Sequence, residues 1–148
     1  MAMNRAIRRR PLSKAELLPL PADKLRGLSL EHHLALAVAR TGQGEPGQLG
    51  CLMRVLYVAF LLRDLTPDQG DNALFRRSEA ALNRCLARAT DGKPWALPPE
   101  ESPPVEWLVA LHDRQLATVP VHRYVATCDR IARGFLSDPD WTPIPPVD

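Results

Sequence analysis

Strand alternation, paired cysteines, a long apolar run and any abundance of lysine are all missing from this sequence, and each absence narrows what the chain can be. The three cysteines, Cys51, Cys85 and Cys128, stand far apart along the chain. A disulfide framework or a zinc knuckle needs closely spaced pairs, so neither is expected, and buried free thiols in a reducing cytoplasm are. The most apolar stretch, LGCLMRVLYVAFLL at 49–62, is interrupted by Arg54. A bilayer span takes about 20 apolar residues, so this one reads as a buried core helix and no membrane partner is expected. The N-terminal arginines lead into PLSKAELLPLP rather than a continuous apolar region, so no secretion signal is expected either. Lysine occurs only at 14, 24 and 93 against many arginines, a bias that points to a GC-rich bacterial genome.

Catalytic signatures are equally scarce. There is no HExxH, no histidine pair four residues apart, no carboxylate cluster, and no serine, cysteine or threonine with an evident base. The loop TGQGEPGQ is glycine-rich but is not GxxxxGK[ST] and follows no strand, which argues against a phosphate loop. No catalytic residue, cofactor or metal is expected from these residues.

What is present is helical periodicity in an ordinary globular composition, at 148 residues enough for one domain. Most of the 15 prolines gather at 11–21, 94–104 and 139–146, where they separate helices and tails. Ser13 with Glu16 forms a capping box that opens a short helix. A turn over 22–27 ends at Gly27, and Ser29 caps LEHHLALAVAR, which closes at Gly42. A helix over about 46–64 is apolar on nearly all sides, as only a helix packed by several neighbours can be. Thr66, Pro67 and Gln69 form a second capping box for a helix reaching Thr90, followed by helices at 103–118 and 120–134. The expected architecture is all-α: an irregular bundle of about five helices over 13–135. A basic disordered arm (1–12) precedes it, and a Pro-rich tail (136–148) follows, without fixed structure unless Trp141 and the PIPP run dock on a surface.

Charge is unevenly spread. Arg5, Arg8, Arg9, Arg10 and Lys14 give residues 1–14 a local +5, which leaves −3 for the rest of a chain of net +2. Together with Arg76, Arg77, Arg84 and Arg88 on one helix, this arm is the candidate nucleic-acid surface. The segment LHDRQLATVPVHRY (111–124) looks most like chemistry. Helical projection places His112 in the middle of the apolar face of Val105, Leu108, Val109 and Leu116, a core histidine. Asp113 lies on its flank, and His122 lies outside the apolar face of the last helix. His33 borders the face of Leu30, Leu34 and Ala37, whereas His32 points elsewhere. His33, His112 and Asp113 are the residues to check for chemistry.

Two resemblances bear on these residues. The order His33, His112-Asp113, Asp129 is similar to the H…HD…D pattern of HD-type metal phosphohydrolases, in which histidines and aspartates from separate helices hold metals that activate water. The spacings depart from that pattern, and Arg114-Gln115 lack its small-residue context. The segments LSLEHHLALAVARTGQG, LLRD and LVALHDRQLATVPVHRY resemble small helical proteins of proteobacterial mobile elements, some of them labelled Fis-like transcription factors. This resemblance spans roughly residues 11–135 and carries over no site residue. It implies a bacterial cytoplasm and an accessory role. Three functions follow, in order: a non-enzymatic accessory or regulatory protein that binds a partner protein or itself, a DNA-binding regulator using the arm and the arginine-bearing helix, and an HD-like hydrolase.

Overall fold

The computed structural model describes residues 10–65 and 72–146. Arg5, Arg8, Arg9 and the Thr66–Gln69 capping box lie outside the described residues. Within them the chain forms six α-helices and one 3-10 turn. Ser13 caps α1 (Lys14–Leu17): its hydroxyl accepts from the Glu16 amide at 3.2 Å, and the Glu16 carboxylate accepts from the Ser13 amide at 3.3 Å. The second helix, α2, runs unbroken from Ala22 to Thr41, so Gly27 does not end a turn and Ser29 is not a cap. Gly27 keeps a helical backbone with open space around it. A mid-helix glycine costs only about 1 kcal/mol, which the packing of a 20-residue helix overrides. Gly42 ends α2 at φ 71°, the left-handed conformation that glycine adopts without strain.

Pro46 starts α3 (Pro46–Leu61), and the Gln48 side-chain oxygen accepts from the Glu45 amide at 2.7 Å. This helix is the centre of the molecule. It packs against α2, α4 (Asn72–Thr90), α5 (Ser102–Thr118) and α6 (Val121–Ser137), and it buries eight of its residues, from Leu49 to Phe60. Its all-round apolarity is thus matched by neighbours on most sides, with Arg54 left exposed. The α-helix stops at Leu61 and a 3-10 turn covers Arg63–Leu65. Phe75 bridges α3 to α5, with edge-to-face contacts to Phe60 and Trp107 at 5.3 and 5.2 Å.

Two segments that read as connectors belong to the core. Trp95 and Leu97, between α4 and α5, are buried, and the Leu97 amide donates to the Ala39 carbonyl at 2.8 Å. That bond satisfies one of the open carbonyls at the end of α2. The stretch after α6 is not a free tail. Trp141 lies over Gly134, Ile144 is buried, and the Arg76 guanidinium donates to the Pro145 carbonyl. The corner between α5 and α6 is pinned from outside: the Val121 amide donates to the Leu18 carbonyl at 2.9 Å, and Pro19 bridges Pro120.

Candidate functional site

The three candidates His33, His112 and Asp113 are joined by His32 and sort into two pairs across α2 and α5; His112 lies where the helical projection puts it, whereas the two histidines of α2 do not. Both flanks of α2 are rich in apolar residues, so the projection cannot tell which faces inward. The buried flank is His32, Ala35, Leu36 and Ala39. Its alanines let α2 press close to the neighbouring helices, while Leu30 and Leu34 remain 61% and 54% exposed. His32 is therefore the inward histidine, and His33 stands at the surface.

Inside, His32 and His112 lie with ring centroids 5.2 Å apart. The Gln115 amide nitrogen donates to the Ala59 carbonyl at 2.9 Å, which turns its oxygen toward His112 Nδ1 at 3.1 Å. That oxygen can only accept, so His112 carries its proton on Nδ1. Burial disfavours the imidazolium and pushes the His112 pKa down to about 4; the neighbouring His32 adds to this, against the Gln115 hydrogen bond. Burial lowers the His32 pKa as well, and its Nδ1 is enclosed with no hydrogen-bond partner among the described residues. This cluster is a neutral, packed strut between α2, α3 and α5. As a core histidine, His112 matches its sequence reading.

Outside, His33 Nε2 donates to Asp113 Oδ2 at 2.6 Å. The pair opens onto a groove of about 680 Å³ lined also by Leu25, Arg26, Ser29 and Leu30. The sequence reading missed Arg26 and Ser29, although the signal was available: Ser29 and His33, like Arg26 and Leu30, are four residues apart and share a helix face. Asp113, His33 and Ser29 bring a carboxylate, an imidazole and a hydroxyl to one groove. However, no hydrogen bond joins Ser29 to His33, and the backbone amides in mid-α2 are spent on the helix itself. An oxyanion forming there would find Arg26 but no backbone donor. The chemistry on offer is polar anchoring within an apolar rim.

The hydrolase pattern is not assembled here. His112 faces the core, Asp129 is on the exposed side of α6, and no group of three or more His, Cys, Asp or Glu side chains is placed to hold a metal among the described residues. The arginines of α4 are mostly engaged within the fold. Arg76 holds Pro145, Arg84 pairs with Glu101 at 2.7 Å, and Arg88 donates to the Ala96 carbonyl at 3.2 Å, while Arg77 is exposed. Arg10 pairs with Glu16 at 2.8 Å. No described helix is long and apolar enough to cross a membrane. Comparison with protein families, with curated proteins and with solved structures finds no match to this chain.

Proposed function

We propose that this chain is a non-enzymatic accessory or regulatory protein that works by binding a partner protein, and that the outer face of α2 is the contact surface. The observation that carries this reading is the pair Leu30 and Leu34, one turn apart and more than half exposed on the longest helix described. Leu30 lines the groove that holds the His33–Asp113 pair, and Leu34 lines a smaller hollow between α2 and the start of α3. Apolar side chains around a few convergent polar groups form the usual anatomy of a recognition surface, in which the apolar part supplies affinity and the polar part sets register.

The test is Leu30→Asp with Leu34→Asp. Both residues already face water, so the fold tolerates the change. Burying a fully exposed leucine is worth about 1.5–3 kcal/mol and these two are little more than half exposed, so the double variant loses roughly twentyfold or more in affinity. Sedimentation over a wide concentration range reads self-association, and capture with tagged wild-type and variant chains reads a heterologous partner. A complex formed by the wild type and lost in the variant supports the reading. No complex with the wild type, or the same complex with both, rejects it.

A further inference from the structure

A second groove, of about 720 Å³, lies away from the α2 face, between α3, α4 and the segment that follows α6. Its wall is aromatic. Tyr57, Phe135 and Trp141 form a triangle with ring centroids 5.7, 5.9 and 5.7 Å apart. Its charged groups share one sign: Glu79, Asp91 and Asp140 line it, and none of the described lysines, arginines or histidines does. This is notable in a chain whose net charge is +2. Arg76, one turn before Glu79, is turned to the Pro145 carbonyl.

Three structural features give the groove a bias toward cations. Glu79 is held in place because its Oε2 accepts from the Tyr57 hydroxyl at 2.8 Å and from the Thr142 hydroxyl at 2.6 Å, while Oε1 accepts no hydrogen bond among the described residues. The last turns of α4, through Thr90, and of α6, through Phe135, both line the groove. Each brings the partial negative charge of a helix C-terminus. Ring faces attract cations, and a guanidinium suits such a wall best, since it is weakly hydrated, stacks on aromatic rings and presents a planar fork to a carboxylate.

We propose that this groove binds an arginine side chain carried by a basic peptide segment of a partner protein. The guanidinium stacks on Phe135 and Trp141, the two rings of the triangle that are not buried, Glu79 Oε1 accepts its N–H groups, and Asp91 and Asp140 supply the charge that draws the segment in. The surface shares no residue with the α2 groove, so either site can fail without the other.

The experiment uses the full chain and an acetylated, amidated tri-arginine peptide, followed by calorimetry and tryptophan emission. The same peptide with citrulline in place of arginine keeps the shape without the charge. Expected are saturable one-to-one binding by the wild type, weakening by about tenfold or more with citrulline, and a similar loss in Glu79→Gln with Asp140→Asn. Glutamine still offers an oxygen to Tyr57 and Thr142, and circular dichroism checks that the variant is folded. Three outcomes overturn the proposal. One is the absence of saturable binding. Another is binding indifferent to citrulline or to the double variant, which places the arginine elsewhere. The last is binding that emerges only when Arg5, Arg8 and Arg9 are changed to glutamine, which makes the chain's own arm the occupant.

Discussion

Acid sets the sharpest test of the buried histidine pair. In the native fold His112 has a pKa of about 4 against 6.5 for a free side chain. Between these values the unfolded chain binds a proton that the native state refuses. The contribution to stability is complete above pH 6.5 and is lost as pH falls toward 4. At about 1.4 kcal/mol per pH unit, the cost to the fold between pH 7 and 5 is about 2 kcal/mol. His32 titrates in the same direction, because burial lowers its pKa too. The variant His112→Gln removes the titration while keeping an N–H for the Gln115 oxygen. Urea unfolding of wild type and variant at pH 7 and pH 5 isolates the term, since the exposed carboxylates change both alike. The wild type should lose about 2 kcal/mol more than the variant over this range. Equal losses would refute the claim that His112 is held neutral in the core.

Glycine positions make two further predictions. A Cβ at Gly134 would overlap the Trp141 indole. Gly134→Ala should therefore lift Trp141 from α6, shift tryptophan emission to the red and cost about 1–3 kcal/mol in chemical unfolding, although alanine favours the helix. Gly27→Ala and Gly42→Ala should have opposite signs. Open space surrounds Gly27 within α2, so alanine there should stabilise by about 0.5–1 kcal/mol. Gly42 has φ 71°, so alanine there should destabilise by about 1 kcal/mol. Thermal melts of the two variants, run side by side, check the signs.

Local rules are enough to derive much of this protein from its sequence. Helical periodicity, the Ser13–Glu16 box, Pro46 at a helix start and Gly42 at a helix end each act within one or two turns, so they are readable without knowing the neighbours. The all-round apolarity of α3 likewise announces a central helix, because no other position removes so many large side chains from water. The inward place of His112 follows from a single apolar face with no rival. α2 has two apolar flanks, and only the tertiary structure decides between them. The flank with Ala35 and Ala39 goes inside because helix packing rewards close approach as well as side-chain size. That choice buries His32, exposes His33 to meet Asp113, and leaves Leu30 and Leu34 as a surface. Long-range partners explain the other differences: Trp95 reaches Gly44, Leu97 bonds Ala39, and Trp141 meets Tyr57. None of these pairings is encoded by spacing along the chain. Each depends on which helices stand side by side once α3 has been surrounded.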